Sequence, residues 1–353
     1  MEDPDRFMAR AIQLARNATG TAAPNPMVGA VLVQGDRILA EGWHKQAGGP
    51  HAEVECLRAF GDGPVPEDAV MVLNLEPCSH HGRTPPCADM LVERGVKHVV
   101  VAHADPFPEV AGKGIARLRG AGVRVDVGVR EAEARWMNRR FLTSVNEGRP
   151  YVILKWARSA DGRLDAGPRT ERVVQRITGA DSHTLVHRWR SEEQAILVGS
   201  RTVINDDPEL TVRLVAGRSP LRVVLDRDER TPAGSRVYGG GSPALLFTGR
   251  SRADLAVDQV IVPKDADPIS TMFNELHHRQ VRSLLVEGGA MLLQHFIERD
   301  LWDEARVFTG PPHFGKGTPA PDLPHAPFRT EYIGEDLLHR FHRTQHPADA
   351  WCW

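Results

Sequence analysis

The spacing of apolar residues divides the chain into a long series of alternating elements. In the charged opening segment Phe7, Met8, Ala11, Ile12, Leu14 and Ala15 recur at helical spacing and predict a first helix. Strand-like runs follow over 28–34 and 37–44, separated by Gly35-Asp36, a pair that favours a tight hairpin. Helical spacing returns over 51–60. An apolar run over 69–76, a Pro- and Cys-containing loop, a helical stretch over 88–95 and a second apolar run over 96–105 then read as strand, loop, helix and strand. That series is the pattern of a buried parallel sheet with helical crossovers. GKGIARLRGAG and VRVDVGV add a helix and a strand, and 131–148 reads as one closing helix that ends at Gly148.

At Gly148-Arg149-Pro150 helix-stop signals meet a fresh strand over 151–157, so two domains are expected, 1–147 and 150–353. Beyond the boundary, strand-like runs over 194–199, 221–226, 243–249, 258–263, 281–287 and 303–308 alternate with helical segments such as 268–279 and 290–299. None of the first half's motifs recurs, so this is a second α/β domain and not a repeat. The tail from Pro319, rich in Pro, His and Asp, carries little usable pattern.

A length of 353 residues lets each half bury its own core. The net charge is −2, from 44 basic and 46 acidic residues, which implies no bulk attraction to nucleic acid or membrane. The opening segment has no apolar core of signal-peptide type and no run is long enough to span a bilayer, so a cytoplasmic protein is expected. Four cysteines, Cys56, Cys78, Cys87 and Cys352, are too few for a disulfide framework, and any that cluster suggest a metal or catalytic role.

Chemistry concentrates in His51-Ala52-Glu53, at a helix start, and in Pro77-Cys78 followed after eight residues by Cys87. One imidazole and two thiolates leave the fourth position of a tetrahedral Zn²⁺ open to water, the arrangement of a catalytic site. Such an ion activates water near neutral pH. Glu53, two residues from His51, can shuttle the water proton to leaving ammonia without binding the metal. His-x-Glu with Pro-Cys and a second Cys is the signature of zinc nucleobase deaminases, whose common form has two residues between the cysteines; here the loop is longer. Cys56 reads as a small core residue, Cys352 carries no assignment, and His80 and His81 in the polar loop read as contacts to substrate or solvent. Asn25, between Pro24 and Pro26, reads on its own as a turn former.

The stretches PNPMVGAVLV, GWH, HAEVECL, LEPCSHHGRTPPC and ADPFPEVAGKG resemble, in order and spacing, the deaminase domain of the RibD family, which carries the long cysteine loop. The resemblance implies an α/β, three-layer cytidine-deaminase fold over 1 to about 147, zinc on His51, Cys78 and Cys87, Glu53 as proton shuttle, and Asn25 and His44 against the pyrimidine. Phe107 stands where the family has asparagine, and only a local change is expected. KWARSADG, AILVGSRTVINDDPELTVR, LRVVLD and LVEGGAML resemble the family's reductase domain, which implies a dihydrofolate-reductase-like α/β fold using NADPH. By that match Thr202, Asp206, Gly288 and Gly289 contact NADPH, Arg190, Leu210 and Arg213 hold the substrate, and Glu287 sits beside the ribose being reduced. Arginines suit a 5′-phosphate because their planar fork donates two charge-assisted hydrogen bonds. The chain departs from the family at Arg158, Val174, Arg176 and Arg227, each expected near cofactor or substrate, and an altered second site is one reading of these changes.

The implied function is a two-step one in riboflavin biosynthesis: hydrolytic deamination of a pyrimidine nucleotide, then NADPH-dependent reduction of its ribosyl group to ribityl. Expected partners are that small molecule and further copies of the chain, with no nucleic acid and no membrane. Two alternatives stand beside it. One is a deaminase of guanine, cytidine or a tRNA adenosine, the last opposed by the neutral charge and the lack of a basic, aromatic patch. The other is a second half that only binds or oligomerises.

Overall fold

The computed structural model describes residues 3–79, 86–107, 111–167, 172 and 174–344. His80, His81 and Cys352 lie outside them. The chain forms two compact units, one ending at Glu147 and the other beginning at Gly148. No described helix is long and apolar enough to cross a membrane.

In the first unit, strands β1 (Gly29–Gln34), β2 (Arg37–Trp43), β3 (Ala69–Leu73), β4 (His98–Val101) and β5 (Arg124–Val127) lie in the order β2-β1-β3-β4-β5. β3, β4 and β5 are parallel, while β1 runs antiparallel to both β2 and β3. The hairpin and the parallel series read from the sequence are both present, joined through the β1–β3 pair. Helix α1 (Pro4–Ala15) opens with Asp3 accepting a hydrogen bond from Arg6 N at 3.1 Å and Pro4 in the first turn, and it buries Phe7, Met8, Ala11 and Ile12 on one sheet face. Helices α2 (Ala52–Phe60), α3 (Cys87–Glu93) and α4 (Lys113–Gly120) cover the other face through Cys56, Leu57, Leu91 and Leu118. With both faces covered, all five residues of β3 are buried, which explains its unbroken apolar run.

The single helix expected over 131–148 is two, α5 (Glu131–Met137) and α6 (Arg139–Glu147). Asn138 interrupts it. Its buried amide accepts from Met27 N at 2.8 Å and donates to Met27 O at 3.0 Å, satisfying backbone that lies just before β1 and has no ladder partner there.

Gly42 in β2 lets α2 approach the sheet backbone to backbone: a Cβ there would collide with Cys56 N and Ala52 O. Gly42→Ala must push α2 away, and overpacking of this kind costs about 1–3 kcal/mol. A lower unfolding temperature of the first unit by calorimetry is the expected result, and an unchanged one refutes the close packing.

The second unit holds β6 (Tyr151–Arg158), β7 (Ala195–Gly199), β8 (Leu221–Asp226), β9 (Ala244–Thr248), β10 (Asp258–Ile261), β11 (Ser283–Val286), β12 (Glu304–Thr309), β13 (Arg329–Ile333) and β14 (Asp336–His342). Their order is β10-β9-β8-β7-β11-β6-β12-β14-β13, parallel from β10 to β12 and antiparallel at β14. Helices α9 (Pro268–His278) and α10 (Ala290–Glu298) bury Phe273 and Phe296 on one face; α7 (Ala180–Glu192) and α8 (Ser200–Asp206) bury Trp189 and Val203 on the other. Each strand-like run of the second half forms a strand.

The tail, by contrast, supplies β13 and β14, which the apolar pattern does not predict. In β14 Leu338 and Phe341 are buried, but between them Arg340 packs its guanidinium 5.8 Å from the Trp189 ring and pairs with Glu331 at 2.9 Å. A cation stacked on an aromatic occupies a position that an alternating apolar pattern would mark. Late insertion of β11 between β6 and β7 brings the carboxyl ends of β7 and β11 side by side, with Gly199 N bonded to Gly288 O at 3.2 Å. In open α/β sheets ligands bind outside such carboxyl ends.

Candidate active sites

His51 is the N-cap residue of α2 in extended conformation (φ −71°, ψ 162°), so its ring leaves the helix at its start while Glu53 sits in the first turn, 3% exposed. Cys78 follows β3 through Asn74–Pro77, and Cys87 is the first residue of α3. The long loop is closed at its base, because Ala88 N donates to Cys78 O at 3.1 Å and Cys87 N to Cys78 Sγ at 3.3 Å. Eight intervening residues therefore do not separate the two sulfurs. His51 Nδ1 lies 3.2 Å from Cys87 Sγ and 3.6 Å from Cys78 Sγ. These three are the cluster of possible metal ligands among the described residues, with all ligand atoms within 4.8 Å of one another. An ion about 2.0 Å from nitrogen and about 2.3 Å from sulfur in tetrahedral geometry separates such atoms by about 3.5 Å, so the donor set fits zinc.

The protonation of the site follows from burial and mutual contact. Burial pushes the Glu53 carboxyl up to about 7, against the pull of His51. The Cys87 thiol and the His51 ring hold Cys78 down at about 4 in spite of burial, and the bond to Cys78 raises His51. Donors that share protons in this way exchange them for a cation, which binds thiolate and neutral imidazole. Cys56, four residues from the helix start, is fully buried in the core as expected, and burial pushes its thiol up to about 12.

Asn25 and His44 stand beside the cluster. The His44 ring meets that of His51 edge-on at 5.7 Å, and burial lowers its pKa, so the ring is neutral. Pro50 O, 2.9 Å away, can only accept, which puts the proton on His44 Nδ1 and leaves Nε2 to accept from Asn25 Nδ2 at 3.1 Å. Three further polar residues support the site without having been singled out from the sequence. Asn74 accepts from Gly29 N at 2.7 Å and donates to Met27 O at 3.0 Å; with Asn138 it fixes the chain that follows Asn25. Glu76 accepts from Asp105 N, Gly112 N and Ile115 N at 2.9–3.0 Å and ties the Cys78 turn to the start of α4. The signal was present in LNLEPC, where two polar residues break an apolar strand end just before Pro-Cys. At Phe107 the turn is closed by its own N–H donating to Asp105 at 2.9 Å.

In the second unit Thr202, Asp206, Gly288, Gly289, Arg190, Leu210, Arg213 and Glu287 all line one cavity of about 730 Å³. Gly289 caps α10, and a Cβ on it would lie 3.2 Å from Thr202 Oγ1, so bare backbone lines the cavity here. The cavity's charged centre is Glu287, held by Arg190 through two hydrogen bonds of 2.8 Å, with Lys155 Nζ at 3.9 Å. Burial alone would raise Glu287; Arg190 and Lys155 outweigh it and bring the carboxyl down to about 2. Burial lowers the Lys155 pKa, with Glu287 opposing. Arg213 reaches Thr211 Oγ1 at 2.7 Å and Glu209 at 3.1 Å.

Of the four departures, Val174 and Arg176 line this cavity. The other two correct the expectation. Arg158 donates to Thr309 Oγ1 at 3.1 Å, and Arg227 to Pro263 O and Lys264 O; neither side chain is on the cavity wall among the described residues. Both long side chains have backbone or hydroxyl acceptors on the neighbouring strand ends and are drawn to them.

Residues 150–337 match the RibD C-terminal domain, and residues 1–103 match the cytidine and deoxycytidylate deaminase zinc-binding region. Riboflavin biosynthesis protein RibD of Aquifex aeolicus is 37% identical over 353 residues, covering 96% of this chain and 98% of that protein. The chain belongs to the RibD family. It is an enzyme of riboflavin biosynthesis with a deaminase domain and a reductase domain. RibD of Escherichia coli is 36% identical, covering 89% of each chain. Among solved structures, RibD of Acinetobacter baumannii superposes with a TM-score of 0.88 at 35% identity, covering 98% of this chain and 99% of that one. The diaminohydroxyphosphoribosylaminopyrimidine deaminase/5-amino-6-(5-phosphoribosylamino)uracil reductase of Thermotoga maritima does so at 0.86 and 34%, covering 96% and 98%. The fold is thus the expected one, a cytidine-deaminase-type domain followed by a RibD reductase domain.

Proposed function

We propose that the first unit, residues 1–147, hydrolyses the exocyclic amine of 2,5-diamino-6-ribosylamino-4(3H)-pyrimidinone 5′-phosphate, and that the second, residues 150–353, reduces the ribosyl group of the product to ribityl with NADPH. The observation that carries this reading is the convergence of His51, Cys78 and Cys87 beside the buried carboxyl of Glu53. The names of the Thermotoga relative's two activities supply the substrates.

His51 Nδ1 and the sulfurs of Cys78 and Cys87 would hold zinc, a Lewis acid that brings water toward ionisation at about pH 7. Glu53 takes a proton from that water and delivers it to the departing amine; its burial keeps the proton from bulk solvent between the two transfers. Neutral His44 and Asn25 orient the pyrimidine, their mutual hydrogen bond holding both side chains in place. In the second unit Thr202, Asp206, Gly288 and Gly289 would hold NADPH, which supplies hydride. Arg190, Leu210 and Arg213 grip the substrate with Glu287 beside the reacting ribosyl carbon. Lys155 Nζ, its proton made easier to lose by burial, protonates the ribose oxygen released as that carbon is reduced.

The test is turnover of the full chain on the diaminopyrimidine nucleotide. Ammonia release without NADPH, and NADPH oxidation only once deamination has occurred, are expected. Stripping the metal with a zinc chelator should abolish ammonia release and leave NADPH oxidation on the deaminated compound intact, with Zn²⁺ restoring the first step. Undiminished ammonia release from zinc-free protein overturns the metal reading.

A further inference from the structure

His187 and Arg190 stand one turn apart on α7, both on the wall of the second unit's cavity. Arg190 holds Glu287 and also donates to Thr211 O at 3.3 Å. His187 binds backbone instead. Its side chain is buried, and its Nδ1 lies 2.9 Å from Arg213 N. A backbone amide can only donate, so Nδ1 accepts and the ring proton sits on Nε2. Burial, with Arg190, Arg213 and His183 adding to it and Glu287 opposing, pushes the ring down to about 4. The imidazole is therefore neutral near pH 7 and keeps its accepting lone pair.

That bond stands in for a missing ladder. Residues 207–213 form neither helix nor strand, so Arg213 N has no sheet partner. Within the segment Leu210 is buried at φ 58°, a left-handed conformation that a leucine adopts only where its surroundings impose it. Thr211 O accepts from Arg190, Val212 N donates to Ser219 Oγ at 3.0 Å and Arg213 N donates to His187, so three consecutive residues are pinned, two of them to α7. The helix is a firm mount. Buried Asp336 accepts from Gly179 N at 2.9 Å and Ser182 Oγ at 2.5 Å at its start, and Trp189 packs on Phe308 near its end. The half-exposed Arg213 guanidinium, by contrast, bonds Thr211 and Glu209, which belong to its own segment and move with it. Its place in the cavity is thus set by the backbone anchor. We propose that His187 is a positioning residue of the reductase site, whose Nδ1 fixes the backbone of Arg213 and thereby the guanidinium that grips the pyrimidine nucleotide, an inference that rests on the reductase reading above.

Two variants of the full chain test it. His187→Leu removes the acceptor, whereas His187→Asn carries Oδ1 to the place of Nδ1 and restores it. In steady-state assays on 5-amino-6-(5-phosphoribosylamino)uracil, His187→Leu should raise KM for the nucleotide by about tenfold or more, with kcat and KM for NADPH within about twofold of wild type. His187→Asn should return the nucleotide KM to within about threefold. A ring needed only for packing gives the opposite order, because leucine fills a buried site better than asparagine does. If His187→Leu does not fold, His187→Gln, whose polar group lies beyond the Nδ1 position, replaces it with the same expectation. Added to Arg213→Gln, His187→Leu should cost almost nothing further, since both act through one guanidinium. A nucleotide KM unmoved by His187→Leu, losses that fall equally on kcat and both KM values, additive losses in the double variant, or a His187→Asn protein worse than His187→Leu overturns the proposal. Calorimetric binding of the nucleotide that is weakened by His187→Leu and restored by His187→Asn, in a chain that oxidises no NADPH, upholds the positioning role and removes the reductase reading. NADPH oxidation indifferent to every change at His187 removes the role and leaves that reading standing.

Discussion

Replacing Glu53 with glutamine is expected to slow ammonia release by ~10²–10⁴-fold while leaving the zinc content of the protein unchanged. Glutamine has the shape of the carboxyl but cannot take up a proton, so the water stays without its base and the amine without its acid. The metal donors His51, Cys78 and Cys87 are untouched by the change, and metal analysis separates a lost proton shuttle from a lost ion. Stability should not suffer either. Glu53 is buried, and burial opposes its charged form, raising it to about 7; a neutral amide removes that cost. A bound dication works in the opposite direction and keeps the carboxyl ionised as a base at neutral pH. A Glu53→Gln protein that binds zinc and still releases ammonia at the wild-type rate would remove Glu53 from the chemistry.

Arg190→Met should cost the second unit about 3–5 kcal/mol and abolish NADPH oxidation, with ammonia release retained. The substitution leaves the Glu287 carboxylate, whose side chain is 8% exposed, facing only Lys155 at 3.9 Å. Removing one partner of a buried pair exposes the desolvation cost of the other. Adding Glu287→Gln to Arg190→Met should therefore recover much of the stability without recovering reduction, a split that a purely structural ion pair would not give. The pH dependence carries a sign as well. Glu287 titrates at about 2 in the folded chain against an ordinary 4.5, so its contribution is complete above about pH 4.5 and is lost as pH falls toward 2. Wild-type protein should lose stability over that range more steeply than the double variant in acid unfolding. Identical acid profiles, or reduction at the wild-type rate by Arg190→Met, would contradict the role given to the pair.

Much of this was legible in one dimension because the relevant forces act over a few residues. Helical and strand periodicities report which face of a local segment is buried, and they located α1, α2, the β1–β2 hairpin and each strand from β6 to β12. His51 and Glu53 share the opening of one helix, so their relation is set by two residues of chain. Cys78 and Cys87 were legible through their prolines and their position after an apolar strand.

Periodicity failed where a polar or charged group does a core residue's task. Asn138 divides a helix to bond Met27, 111 positions away, and Arg340 occupies β14 because Trp189 offers it a ring. Pairings of that kind depend on where the chain returns, and no local pattern records it. The sequence by itself determined most of the elements as far as β12, their order and the three residues of the candidate metal cluster, since each follows from short-range spacing and side-chain chemistry. Only the tertiary structure decided that β1 runs antiparallel between β2 and β3, and that Arg190 is held by Glu287, 97 residues on. Those outcomes are set by which distant surfaces meet when the two cores close.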